Sequence, residues 1–244
     1  MTATLEMTIG EVVAADYRTA AVFQRFGIDF CCRGNQTIEH GCRTAGINRE
    51  QLLADLAQAT TDAADDGPAF NEWDLRRLAA HIVSSHHAFV RESTPLLLQH
   101  TKKIADVHGA RHTELPHIAE LFGRVALELA EHMEKEERIL FPYIAALEDA
   151  AQGAAPVPVA RFGSMLNVIP KMEAEHQFVG DAMAEIRHLT NGFQPPRDAC
   201  ATYRVCLQEL EAFERDLHQH VHLENNLLMP KAARIEASFA TGRN

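Results

Sequence analysis

Two segments of the chain carry the same chemistry at the same spacing. HMEKEERILFP holds His132, Glu136 and Pro142, and HVHLENNLLMP holds His220, Glu224 and Pro230. Residues four apart on an α-helix lie about 40° apart around its axis, so each pair presents a nitrogen and an oxygen to one point. Borderline and hard metal ions accept that donor set. One His-x3-Glu pair arises readily by chance on a surface helix, whereas two copies with a proline at the same distance downstream mark a built site.

Two further histidines complete a layer. His87, His132, His176 and His220 are separated by 45, 44 and 44 residues. If each interval is one helix plus one loop of an antiparallel bundle, all four return to the same height. Four imidazoles supply four nitrogens, and two bridging carboxylates, Glu136 and Glu224, supply four oxygens. With an oxo or hydroxo bridge added, two metal ions are each about five-coordinate and each keeps an open position. Glu128 and Asp216 lie one turn before His132 and His220, and Glu175 adjoins His176; these three carboxylates are candidates for orienting ligands or delivering protons. His86 competes with His87 as the first ligand. His218 and His222, two residues from His220, point away from it and are expected to be partly exposed.

The elements that would position these residues are helices. Helical periodicity runs from about Trp73 to Val107, Glu114 to Asp149, Ser164 to Leu189 and Asp198 to Ile235, with Pro95 expected to kink or interrupt the first. Gly109, the Gly153–Pro158 loop and the segment from Asn191 to Pro196 punctuate them. No alternating β-branched run competes, so the fold class is all-α: an up-down four-helix bundle over 67–244, preceded by a small helical domain over 1–66. In that domain Thr8 and Glu11 form a capping box ahead of one helical run that Gly27 stops, and Asn48 with Gln51 starts another. About 60 residues bury only a modest core, so this unit is expected to lean on a partner surface. Thr60–Pro68 (TTDAADDGP) reads as a linker that spans roughly 30 Å when extended.

Composition narrows the function. The chain has 244 residues, 23 Lys and Arg against 34 Asp and Glu, and a formal net charge of −11, which offers no electrostatic footprint for nucleic acid or an anionic membrane. No apolar run approaches a membrane span and the start lacks a signal peptide, so a cytoplasmic location is expected. Of 14 histidines, 13 fall between His81 and His222. Five cysteines are an odd number for a disulfide framework. Cys31 and Cys32 are adjacent and expected as free thiols, because a vicinal disulfide is strained.

The layout resembles the hemerythrin-like bundle of the repair-of-iron-centres family, bacterial iron-sulfur cluster repair proteins that handle nitric oxide. That family carries a single His, His-x3-Glu, a single His and His-x3-Glu on successive helices, matched in order by 87, 132/136, 176 and 220/224. Its N-terminal segment of an aromatic residue, two cysteines and two glycines is matched by Phe30-Cys31-Cys32-Arg33-Gly34, with Arg33 in place of a glycine. A cation there would lower a neighbouring thiol's pKa if its side chain turned that way. The resemblance favours His87 over His86 and implies two iron ions, oxo- or hydroxo-bridged when oxidised. It also implies nitric oxide or oxygen as small ligands, reduction of nitric oxide to nitrous oxide and iron-sulfur proteins as clients. If the N-terminal domain serves the metal, Cys31 and Cys32 are expected near a mouth of the bundle, or within reach of it through the linker, as a thiol transfer site. A homodimer is compatible with it. Oxygen-carrier hemerythrins differ: they have a second histidine four residues after the third-helix ligand, where this chain has Gly180, and His-x4-Asp on the last helix, where it has Asn225. A sensor of oxygen or nitric oxide, or an iron donor without redox turnover, are the alternative functions; manganese or zinc would suit the donor set as well.

Overall fold

The structure, a computed structural model, describes residues 3–61 and 69–241. The expected linker therefore lies mostly outside the described residues. Short helices α1 (Ile9–Ala15), α2 (Thr19–Arg25), α3 (Ile38–Ala45) and α4 (Arg49–Thr61) come first. Four rods follow. The first joins α5 (Leu75–His81) to α6 (Ala88–His108), and the second joins α7 (Leu115–Lys135) to α8 (Phe141–Ala151). The third is α9 (Met165–Leu189), and the fourth joins α10 (Ala201–His222) to α11 (Met229–Thr241). Among the described residues there is no strand, only an isolated bridge between Thr8 and Thr37. Packing of α6 on α7, α7 on α9, α9 on α10 and α10 on α6 closes the ring of an up-down four-helix bundle.

Local chemistry explains these elements. In α7 the buried residues Ile118, Leu121, Phe122, Val125, Leu129, His132 and Met133 recur at helical spacing, so one stripe faces inward. Asp74 caps α5 by accepting from the Arg77 amide at 2.7 Å. The buried Glu148 of α8 also accepts from the amides of Leu75 and Arg76, at 2.9 and 3.0 Å, which stitches the second rod to the first. The capping box of Thr8 and Glu11 is present. The run behind it is two helices rather than one, because Asp16 turns extended at φ −152° and its carboxylate accepts from the Arg18 amide. A third short helix, α3, was not expected; Thr37 caps its start and Gly46, at φ 66°, closes it.

Three rods widen into a π-helical turn: 82–87 between α5 and α6, 136–140 between α7 and α8, and 223–228 between α10 and α11. Pro142 and Pro230 follow the last two closely. Proline donates no N–H, so each sits where the ladder is already shifted by the inserted residue. Pro95, by contrast, neither ends nor interrupts its helix: α6 runs through it, and the irregularity in that rod lies before it, at 82–87. Two apolar clusters fill the bundle on either side of the wide turns. One contains Phe122, Val125, Met183 and Phe213 and is continuous with Ile9, Phe23, Ile38 and Leu52 of the N-terminal helices. The other contains Leu78, Ile144, Met165 and Leu228. The N-terminal unit thus does lean on a partner surface, namely the bundle.

Candidate metal centre

The wide turns carry the chemistry into the space between the two clusters. His87 ends the first turn, Glu136 begins the second, and Glu224 stands second in the third. His132 and His220 arrive from α7 and α10, and His176 from α9. All six expected ligand residues are buried, none exposing more than 2% of its surface. Their donor atoms form two groups, His87, His220, Glu136 and Glu224 on one side and His132, His176, Glu136 and Glu224 on the other, with the atoms of each group within 4.8 Å of one another. Both glutamates belong to both groups. Glu136 turns Oε2 to His87 Nε2 at 3.4 Å and Oε1 to His132 Nε2 at 3.3 Å. Glu224 turns Oε1 to His220 Nε2 at 2.9 Å and Oε2 to His176 Nε2 at 3.0 Å.

The donor set fits a metal. Among the described residues, His87 Nε2, both oxygens of Glu136 and Oε2 of Glu224 are buried without a hydrogen bond. Each orphaned group costs about 1–3 kcal/mol, and a cation drawing on the same atoms offsets that cost. With the protein groups alone, burial opposes the charge on His87, but the facing carboxylates of Glu136 and Glu224 outweigh it and bring its imidazolium up to about 9. His132 is likewise opposed by burial and carried up to about 10 by Glu136, Glu175 and Glu224. Burial would raise the Glu224 carboxyl, yet the charge of His220 and the polar contacts of the His176, His220 and His87 rings packed around it hold it well below the usual range. Glu136 is lowered too, against burial and the charge of Glu224, by His132 and His87. Charge in the pocket is thus balanced by protons, which are what a metal displaces.

Behind the inner atoms, the outer nitrogens are held. His132 Nδ1 meets Glu175 Oε2 at 2.7 Å, so Glu175 does reach the site, while Lys135 Nζ binds its other oxygen. His87 Nδ1 meets Glu137 Oε1 at 2.6 Å, and Arg91 donates to that same oxygen. His176 Nδ1 lies 2.9 Å from Asn225 Oδ1. Glu137 and Asn225 were not among the expected residues. Asp216 contacts none of the six residues grouped at the centre; it pairs at 2.9 Å with Nδ1 of His86, which is not in either group, and the His86 ring stacks on His220 at 5.6 Å with planes 6° apart. Glu128 is half-buried and, among the described residues, makes no hydrogen bond or ion pair. Its place one turn before His132 does not bring it to the centre.

The cysteine pair is docked beside the centre. Cys31 and Cys32 are free thiols with sulfurs 3.8 Å apart. Asp29 Oδ1 accepts from both their amides at 3.1 and 2.9 Å and from the Cys31 thiol at 3.3 Å. A Cβ at Gly180, one turn beyond His176, would lie 3.3 Å from Cys32 Sγ. The thiols border a cavity of about 250 Å³ between the N-terminal loop and α9, lined also by Arg187 and His218. Arg33 does not activate Cys31: its Nε sits 4.0 Å from Asp29 Oδ2, and the Cys32 contact, burial and Asp29 push the Cys31 thiol well above its ordinary pKa. The exposure expected of His222 is also wrong, since only 1% of its surface is exposed. It lies under Tyr17 and Phe30, with ring centroids 5.5 and 6.1 Å away, and burial lowers it to about 3. His218 is half-buried against Phe30 at 5.8 Å, and burial lowers it to about 4.

Comparison with known proteins agrees with this arrangement. Residues 5–60 match a domain of unknown function (DUF542), and residues 77–232 match the hemerythrin HHE cation binding domain. The iron-sulfur cluster repair protein YtfE of Pectobacterium atrosepticum is 36% identical over 235 residues, covering 95% of this chain and 98% of that protein. Its namesake in Musicola paradisiaca is 35% identical over 236 residues with the same coverage, and that of Yersinia pestis is 33% identical over 231 residues, covering 94% and 97%. No helix among the described residues is long and apolar enough to cross a membrane. By sequence along nearly its whole length, by fold and by its buried histidine–glutamate cluster, the chain belongs to the hemerythrin-domain family of iron-sulfur cluster repair proteins.

Proposed function

We propose that this chain repairs damaged iron-sulfur clusters through two iron ions held between the four rods, and that it reduces nitric oxide to nitrous oxide at that centre. The observation that carries the reading is the division of each glutamate's oxygens between the two histidine pairs. His87 with His220 and His132 with His176 would each hold one ion, and Glu136 and Glu224 would bridge them. Bound iron supplies the open positions for two nitric oxide molecules and the two electrons which, with two protons, turn them into nitrous oxide and water.

The chain's own residues prepare that site. Glu137 and Glu175 accept from the outer nitrogens of His87 and His132 and so aim the inner nitrogens at the centre. The His132 hydrogen bond, against burial and with help from Lys135, holds the Glu175 carboxyl down to about 2, so Glu175 orients its histidine and does not give up a proton near neutrality. Asp216 acts through His86, which it fixes against the His220 ring. The apolar clusters on both sides exclude bulk water from the layer between them.

Asp29, Cys31 and Cys32 place three donor atoms within 4.8 Å of one another. They support a handover role, in which the thiol pair takes iron released by the bundle and passes it to an iron-sulfur protein; a thiol that coordinates a metal gives up its proton. Anaerobic addition of nitric oxide to the reduced, iron-loaded protein tests the chemistry by gas analysis. Nitrous oxide with loss of ferrous iron is the expected result, and no nitrous oxide from protein that keeps its iron refutes the reductase reading.

A further inference from the structure

Between the buried layer and the backbone of the cysteine loop runs an unbroken line of hydrogen bonds. His132 Nε2 and His176 Nε2 are 2.9 Å apart, His176 Nδ1 and Asn225 Oδ1 are 2.9 Å apart, and Asn225 Nδ2 donates to the Cys31 carbonyl at 3.1 Å. A carbonyl only accepts, so the Asn225 amide nitrogen must face Cys31 and its oxygen must face His176. That oxygen, in turn, can only accept, so His176 must carry its proton on Nδ1. In the neutral ring that binds a metal, the lone pair of His176 then lies on Nε2, which faces Glu224 Oε2 at 3.0 Å and the interior of the layer.

We propose that Asn225 is a positioning residue with two separable tasks: its oxygen fixes His176 in the form that accepts a metal at Nε2, and its amide nitrogen ties the cysteine loop to the bundle. The first task rests on the reading of His176 as a ligand, whereas the second stands on the docked geometry alone. The neighbouring residue supports the second task by another contact. Asn226 donates to the Phe30 carbonyl at 3.2 Å and to His222 Nδ1 at 3.1 Å, and its side chain fills a notch lined by Gly10 and Gly34. A Cβ at either glycine would stand only 2.2 or 2.3 Å from Asn226 Oδ1. Two consecutive side chains of the wide turn that carries Glu224 therefore reach the N-terminal loop. Only Asn225 also touches a candidate ligand.

The two tasks come apart on substitution. Asn225→Asp keeps an acceptor for His176 but has no donor for Cys31; Asn225→Leu has neither; Asn226→Ala loosens the dock without touching His176. Full-length chains carrying Cys200→Ser, which removes the exposed thiol, would be compared by the rate at which Cys31 and Cys32 react with a disulfide reagent. Affinity for ferrous ion alone would be measured anaerobically against a chelator. All three variants are expected to speed thiol labelling about tenfold, which is about 1.4 kcal/mol of docking. Only Asn225→Leu is expected to weaken ferrous ion binding, by about tenfold at one of the two positions. Helical circular dichroism checks that each variant is folded, and Asn225→Asp keeps the test open if the leucine variant fails that check. Labelling of Asn225→Asp at the parental rate would overturn the tether, and unchanged ferrous affinity in Asn225→Leu would overturn the orienting role. If the parent itself bound no ferrous ion, the reading of the centre would fall, while the labelling comparison would still judge the tether.

Discussion

Loading the centre with metal should release protons in a number that pH controls. His87 and His132 titrate at about 9 and about 10 in the protein alone, because Glu136 and Glu224 outweigh burial. At a pH of about 7.5 both imidazoles are then protonated to better than about 95%, and a metal that takes their Nε2 atoms must expel about two protons. At a pH of about 9 the number falls to about 1.4, since His87 is then half titrated. Histidines with the ordinary pKa near 6.5 would release only about 0.2 protons between them at the lower pH. Titration calorimetry of the metal-free chain with zinc ion, in buffers of different ionisation enthalpy, counts the protons directly. Fewer than about 0.5 at the lower pH, or a number that grows with pH, would refute the account of the balanced pocket. The linkage runs the same way for stability. Both pKa values are raised on folding, so the stabilisation from these pairs is complete below a pH of about 6.5 and is lost as pH rises through about 9 and 10. The melting temperature of the metal-free chain should therefore drop across that range, while that of the metal-loaded chain should not.

Three other outcomes are expected. Glu136→Ala or Glu224→Ala should bind fewer than about one metal per chain, whereas His87→Ala should keep about one, because each glutamate serves both histidine pairs and each histidine only one; metal analysis after gel filtration decides this. Replacing Cys31 and Cys32 together by Ser should leave metal content and nitrous oxide yield nearly unchanged while slowing repair of a nitrosylated iron-sulfur protein, so loss of bundle metal in that variant would make the thiols ligands or core. Glu214 is 3% exposed and burial lifts its carboxyl to about 7, against the partial relief of Arg187. Its charge costs stability progressively as pH rises from about 4.5 to 7, so Glu214→Gln should gain on the order of 1–3 kcal/mol in denaturant melts near pH 8 and about nothing near pH 4.

What could be read in the sequence and what could not divides along physical lines. Helical periodicity located all four rods to within a few residues at most ends, because each buries a stripe against its neighbours. Near-equal intervals placed four histidines in one layer, since antiparallel rods of similar length return the chain to the same height. The residues behind them were hidden for a geometric reason: Glu137 meets His87 and Asn225 meets His176 across separations of 50 and 49 residues, and no spacing rule links such pairs. Glu128 misled because a helical stripe only says which way a side chain points, and the centre lies level with His132 and Glu136. The wide turns were equally hidden, since an inserted residue leaves His-x3-Glu intact. Helix α3 was recoverable, with Thr37 before it and Gly46 after it. His222 was misjudged because the surface that covers it, Tyr17 and Phe30, comes from the opposite end of the chain.

The three wide turns also decide how the bundle bears change in chain length. An extra residue in a rod rotates everything beyond it by about 100° relative to an uninterrupted α-helix. The stripe that packs below each turn is therefore out of phase with the stripe above it, and each half-rod matches only its own apolar cluster. Removing one residue from 82–87, 136–140 or 223–228 would restore ideal hydrogen bonding in that rod. It would also swing the far half so that its apolar face met solvent. These turns are thus phase shifters, kept in place by the two cores they join. The same deletion in the loops around Gly109 or Gly153 meets no such constraint.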